Sequence, residues 1–292
     1  MKRVLLILCG AVSLGAIVIA APFLYLSGSR PYQEVSIPAN GYELTAYLSD
    51  VDRTGDLWVI FGHGNRKEGV THPLYTQILN NLPKDVGVLA INFRGFAGSA
   101  DDRMVENERI LDRSEDIQAA VDYLIDRKGI TENQIILIGH SFGAAQVANA
   151  ASQGSYRLVI PIGLGDWQSV TTDPRKMMAY LRKFEENTGV TVSREQFIRE
   201  GSQFISQAIT DPCPTAPIAF VFAGFDDGKE PMRIQYQKTR ERCPTLVGWK
   251  VVPFANHTYG TEESNLPVFL QRIYSKIVLS YLVWQLNHLI SS

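Results

Sequence analysis

Cysteine is scarce: three residues in 292, at positions 9, 213 and 243, too few for a disulfide scaffold. No C-x-x-C and no H-E-x-x-H occurs, so the sequence makes no case for a zinc centre. An excess of one charge is also missing. The 28 Lys and Arg stand against 30 Asp and Glu, for a formal net charge of -2. A near-neutral chain lacks the basic footprint of a nucleic-acid binder. There is no G-x-x-x-x-G-K-[ST], and no G-x-G-x-x-G after the first strand, to cradle a nucleotide phosphate. Internal repeats and low-complexity tracts are absent. What is present is ordinary for a folded core: 45% hydrophobic and 20% charged residues. The length suits one large α/β domain.

Lys2 and Arg3 precede an uncharged run from Val4 to Leu26. As a helix its 23 residues would span about 34 Å, enough for the hydrocarbon core of a bilayer. The positive end belongs on the cytoplasmic side, which sends everything after Arg30 across. A cleaved signal peptide competes with the uncleaved anchor: Val18 and Ala20 form a small-residue site before Ala21-Pro22. The run is longer than a usual signal core, which favours an anchor over 1–27. Residues 28–31 then form a linker, and 32–292 form the domain, on the non-cytoplasmic side or secreted.

Beyond the linker, apolar runs alternate with helical patterns. Strands are predicted at 33–37, 42–49, 57–62, 86–92, 135–140, 157–163, 218–223 and 247–253. Several are continuous apolar runs, such as Leu57-Trp58-Val59-Ile60-Phe61, which suit parallel strands covered on both faces. Over 111–127, Leu111, Ile117, Ala120, Val121, Leu124 and Ile125 mark one helical face. The alternation predicts a doubly wound α/β sheet. Roughly 50 residues separate strands 157–163 and 218–223, too many for a plain loop. Asp173-Pro174 starts a helix carrying Met177, Leu181 and Phe184, and Ser193 with Gln196 starts another carrying Phe197, Phe204, Ile205 and Ala208. A small helical cap over 168–217 is the expectation, with two ordinary crossover helices as the alternative. Its Met177, Met178, Tyr180, Phe184, Phe197 and Phe204 serve either an apolar acyl or aryl group or the cap's own core. The apolar stretch Val268–Ile290 is interrupted by Gln271, Arg272, Lys276, Gln285 and His288, so it reads as a final helix packed on the sheet.

The chemistry centres on Gly139-His140-Ser141-Phe142-Gly143, a G-x-S-x-G between a strand and a helix. The glycines let a sharp turn close and leave the serine Oγ exposed at the helix N-terminus. A serine needs a base and a partner to orient that base. The strand ending at Phe222-Ala223 is followed by Asp226 and Asp227, and the strand ending at Val252 by His257. Carboxyl ends of parallel strands converge on one sheet edge, so Ser141, an aspartate and His257 should meet there. Asp226, Asp227 and, after Gly163, Asp166 compete for the acid role. The backbone N–H groups of Asn65, after Gly62-His63-Gly64, and of Phe142 are placed to bind an oxyanion. His63 should hydrogen-bond within that loop, His140 should be structural, and His72 should be solvated.

These residues together resemble the alpha/beta-hydrolase superfamily. The resemblance runs from about Tyr32 to the C-terminus. It rests on His63-Gly64-Asn65, on Asn92-Phe93-Arg94-Gly95-Phe96-Ala97-Gly98-Ser99, on the G-x-S-x-G, on Gly224-x-x-Asp227-x-x-x-Pro231 and on Asn256-His257-Thr258. Asn92-Phe93 departs from the family's usual Asp before Arg-Gly, in a structural motif. The resemblance implies an eight-stranded, mostly parallel sheet with helices on both faces. It selects Asp227 as the acid, three residues after a glycine. With the leading anchor it looks like membrane-anchored HGN-type members. It implies a serine hydrolase acting on an ester, thioester or amide of a small-molecule or lipid-like acyl substrate, without cofactor. An acyltransferase on the same triad and a hydrolase-fold binding module without turnover are the alternatives. In this fold strands seven and eight run side by side, so Cys213 and Cys243, at matching offsets ahead of them, are expected within bonding reach. An oxidising compartment would keep that bridge.

Overall fold

The apolar runs assemble into one eight-stranded sheet of order β1-β2-β4-β3-β5-β6-β7-β8. The strands are β1 (Tyr32–Ala39), β2 (Tyr42–Ser49), β3 (Trp58–Gly62), β4 (Gly87–Ile91), β5 (Ile135–His140), β6 (Leu158–Ile162), β7 (Ile218–Ala223) and β8 (Leu246–Val252). This is a computed structural model, and it describes residues 29–49, 57–100, 111–165, 167–200, 213–226, 229–259 and 267–292. β2 pairs antiparallel with both its neighbours, and β4, β3, β5, β6, β7 and β8 are mutually parallel. Each expected strand forms within a residue or two of its expected ends.

Every residue of β3 to β7 is buried, as strands covered on both faces require. Alternate residues feed opposite cores. Ile60, Leu89 and Leu137 pack with the helices α2 (Ser114–Lys128) and α3 (Phe142–Ala150). Val59, Val88, Ile136 and Ile138 pack on the other face with α1 (Pro73–Asn80) and α7 (Val268–Ser291). Ile117, Ala120, Val121 and Leu124 form the buried stripe of α2, whereas Leu111 is buried ahead of the helix rather than on it. No helix among the described residues is long and apolar enough to cross a membrane, and α7 lays Leu279, Leu282 and Leu286 on the sheet.

The long β6–β7 connection carries α4 (Trp167–Thr172), α5 (Pro174–Thr188) and a helical stretch at 194–200. The Asp173 carboxylate accepts from the Arg175 and Lys176 N–H groups at 2.9 and 3.4 Å, with Pro174 at the first helical position. Met177, Leu181 and Phe184 are its buried face. Ser193 Oγ accepts from the Gln196 N–H at 3.1 Å, and Phe197 is fully buried. Phe204, Ile205 and Ala208 lie outside the described residues, as does the N-terminal run. α6 (Lys229–Arg240) covers β7 and β8 through Met232 and Tyr236. Cys213 and Cys243 are joined, with Cα atoms 5.5 Å apart, so the segments leading into β7 and β8 are tied together.

Candidate active site

β5 ends at His140 and α3 begins at Phe142, so Ser141 alone makes the turn, at φ 53 and ψ -110. That backbone is costly for a residue with a side chain, and such strain concentrates at functional positions. Glycine on either side makes it possible. A Cβ on Gly139 would strike the carbonyl oxygen of Gly143, and one on Gly143 would sit 2.6 Å from the His63 carbonyl oxygen. The Ser141 N–H is fixed to the Ile162 carbonyl at 2.8 Å, leaving Oγ at the carboxyl edge of the sheet.

His257 arrives on the loop after β8. Its Nε2 lies 2.8 Å from Ser141 Oγ, and its Nδ1 lies 2.9 Å from Asp226 Oδ2. With the serine hydroxyl donating to Nε2, the Nδ1–H donates to the carboxylate. The spacing rule selects Asp227, and the structure places Asp226 on the ring instead. Asp227 and Asp166 lie outside the described residues. The local cause is a tight turn: Asp226 N–H donates to Ala223 O at 3.1 Å, and Phe225 N–H to Ala255 O at 2.8 Å. The acid loop is thereby laced to the histidine loop, with the second residue after Gly224 facing the imidazole. Gly163, at φ 59 after β6, floors the pair. A Cβ there would stand 3.2 Å from His257 Cε1 and 3.5 Å from Asp226 Oδ2.

The loop after β3 crosses in front of the serine. A Cβ on Gly64 would come within 3.1 Å of Ser141 Cβ, so this loop, which continues into Asn65, passes against the serine. Phe142 occupies the first position of α3, where a backbone N–H has no carbonyl within the helix to meet. Phe142 thus follows Ser141 directly, and Asn65 follows Gly64 on the loop that passes the serine. The Asn187 side chain, from the end of α5, donates Nδ2–H to the Asn65 carbonyl at 2.9 Å and to its Oδ1 at 2.8 Å.

The other histidines hold the frame. His63 is fully buried between Phe93 and Phe96; its Nδ1 contacts Gly64 O at 2.6 Å, and its Nε2 accepts from the Phe93 N–H at 3.1 Å. Burial lowers its pKa from the ordinary 6.5 to about 4, so the ring is neutral. His140 receives the Tyr75 hydroxyl on Nδ1 at 3.1 Å and meets the His257 carbonyl through Nε2 at 3.0 Å. The Tyr75 oxygen itself accepts from the Gly64 N–H at 2.8 Å. One buried imidazole thus connects the Gly64 loop to the His257 loop. Burial, then the proximity of His257, holds His140 well below the ordinary imidazole range. His72 is buried rather than solvated, because it caps α1: its Nδ1 accepts from the Leu74 N–H at 3.3 Å.

Ser141, Phe142, Gly165, Val170, Tyr180 and His257 line a cavity of about 180 Å³. Val170 and Tyr180 come from α4 and α5. Met177, Phe184 and Phe197 are core residues, and Met178 points to solvent. Phe184 packs against Phe142 and Phe96, seating α5 on the serine turn. Tyr75, Gly163 and Asn187 carry no motif that would single them out in the sequence. Among the described residues no cluster of His, Cys, Asp or Glu is arranged to hold a metal ion.

Solved structures of similar fold include an esterase from Pyrococcus furiosus, at 16% identity and TM-score 0.56, covering 87% of this chain and 91% of that one. The acylaminoacyl peptidase of Pyrococcus horikoshii matches at 11% identity and TM-score 0.63, covering 90% of this chain and 42% of that longer one. Est1E of Butyrivibrio proteoclasticus, with ferulic acid bound, matches at 16% identity and TM-score 0.53, covering 86% of this chain and 99% of that one. A model of the alpha/beta hydrolase family matches residues 59–275. The sheet order, the serine turn and this match together establish that the chain belongs to the alpha/beta hydrolase family.

Proposed function

We propose that this protein is a serine hydrolase that cleaves an ester of a small apolar acyl or aryl group through an acyl-enzyme on Ser141. The observation that carries the reading is the hydrogen-bonded line from Ser141 Oγ through His257 to Asp226. His257 Nε2 takes the hydroxyl proton as Oγ attacks the carbonyl carbon. Asp226 holds the ring in the required tautomer and stabilises its charged form. The oxyanion meets the N–H groups of Phe142 and Asn65. The tetrahedral adduct collapses as the imidazolium returns its proton to the leaving group. Water, activated by the same histidine, then releases the acid. The apolar cavity beside Ser141 supports the preference for a small acyl group. The P. furiosus esterase among the similar structures agrees with ester as the substrate class.

A fluorophosphonate probe tests the chemistry. It should label the folded wild-type chain and leave Ser141→Ala unlabelled, with the thermal midpoint nearly unchanged. A folded, unlabelled wild type would leave a binding module. A chain-length series of chromogenic esters tests the substrate class, with maximal kcat/KM expected at short acyl chains.

The uncharged run Val4–Leu26, behind Lys2 and Arg3, supports an uncleaved anchor with the catalytic domain on the non-cytoplasmic side. The Cys213–Cys243 bond agrees with an oxidising compartment. The mass of the mature chain tests this, and an N-terminus at Ala21 would overturn it.

A further inference from the structure

The second half of α7 has an unusual outer face. From Ile277 to Ser292 there is no Asp, Glu, Lys or Arg. A helix packed on a sheet ordinarily turns charged residues to water. Here the outward residues are Ile277 (37% exposed), Tyr281 (38%), Trp284 (43%) and His288. At 3.6 residues per turn they fall on one stripe, which Leu270 extends. The rings of Trp284 and His288 stack, and Tyr281 packs beside Trp284.

The His288 end of the stripe lies where the chain leaves the domain. Arg30 reaches the carbonyls of Leu82, Pro83 and Val86 at 2.5 to 3.1 Å, and Lys84 Nζ binds the Ser29 carbonyl. Asn287, one turn beyond Trp284, donates to the Asn81 carbonyl at 3.1 Å. The turn after α1 therefore holds both the exit of the N-terminal run and the end of α7. It sits at the amino end of β4, opposite the edge bearing Ser141. From Leu26 to Arg30 the chain advances four residues, at most about 14 Å when fully extended.

We infer that the Ile277–Tyr281–Trp284–His288 face rests on the bilayer surface into which Val4–Leu26 inserts. The inference depends on the anchor proposed above. The short tether brings this edge to the headgroup region, where indole and phenol rings place an apolar body and a polar tip. With α7 lying along the surface, the catalytic edge, reached at the other end of the helix where Tyr274 Oη donates to the Phe254 carbonyl at 2.6 Å, opens sideways over the bilayer rather than into it.

The test uses the full chain reconstituted into phosphatidylcholine vesicles with acyl chains brominated near the headgroup. Residues 1–28 contain no tryptophan. Co-flotation reads the anchor, and quenching of tryptophan fluorescence reads the face. Wild type should float and be quenched, and Trp284→Phe should float, keep its esterase activity and lose the quenchable component. Flotation with equal quenching in both chains would overturn the inference while sparing the anchor. Failure to float would overturn both. Disulfide-crosslinked pairs from Trp284→Cys would assign the face to a second copy and reject the lipid contact.

Discussion

A single residue step separates the two aspartates after β7, and it decides which one orients His257. Asp226 is 2.9 Å from Nδ1. Asp226→Asn should keep the fold but present an amide that stabilises the wrong tautomer, lowering kcat by on the order of 10³–10⁴. Asp227→Asn should change kcat by less than about ten-fold, or about 1.4 kcal/mol of barrier. Steady-state kinetics on the two variants checks the assignment, and the reverse order would return the role to Asp227. Ser141 and His257 were legible because each needs only its motif and a strand end, since parallel strands deliver their ends to one edge. The acid was not, because a glycine-based count does not register the Asp226–Ala223 turn that shortens the loop. His72 was misread for a similar reason. The helix start at Pro73 was not legible, and an imidazole is an uncommon cap that gives no signal.

Elements impose constraints that no motif carries. α5 was legible from Asp173-Pro174 and from the spacing of Met177, Leu181 and Phe184, yet it reaches the site through Tyr180, which lines the cavity, and through Asn187 at its far end. The two hydrogen bonds from Asn187 to Asn65 fix the loop that, in the proposed mechanism, presents an N–H to the developing charge. Asn187→Ala should lower kcat about ten-fold with little change in KM, as for loss of a positioning contact felt in the transition state. A rise in KM alone would place Asn187 in substrate binding instead. The strand ends are tied by a second constraint. The Cys213–Cys243 bond closes a loop of 30 residues around α6. Its removal by Cys213→Ser with Cys243→Ser should cost about 3–4 kcal/mol in the chain-entropy account. Urea midpoints of the two chains check this. An unchanged midpoint would mean that strand pairing alone holds β7 to β8.

Across the whole molecule, two neutral histidines are buried where the serine turn, the Gly64 loop and β4 meet. His63 and His140 both have folded pKa values below that of an exposed imidazole, with His63 down to about 4. Unfolding exposes both rings and lets them bind protons near pH 6.5. Between that pH and the folded pKa the unfolded chain holds the extra protons, so stability falls as pH drops. The contribution is fully present above pH 6.5. For His63 alone the loss should approach about 3 kcal/mol by pH 4. His140 adds in the same direction, and its protonation would put a charge beside His257. His63→Gln offers a neutral side chain that can also donate and accept, so it removes the titration while leaving a partner for Gly64 O and the Phe93 N–H. Its stability at pH 7.5 should be below wild type through lost packing, but its decline between pH 6.5 and 4 should be shallower. Urea unfolding at a series of pH values separates the two effects. Parallel declines in both proteins would show that the acid sensitivity of the fold arises elsewhere, among its carboxylates.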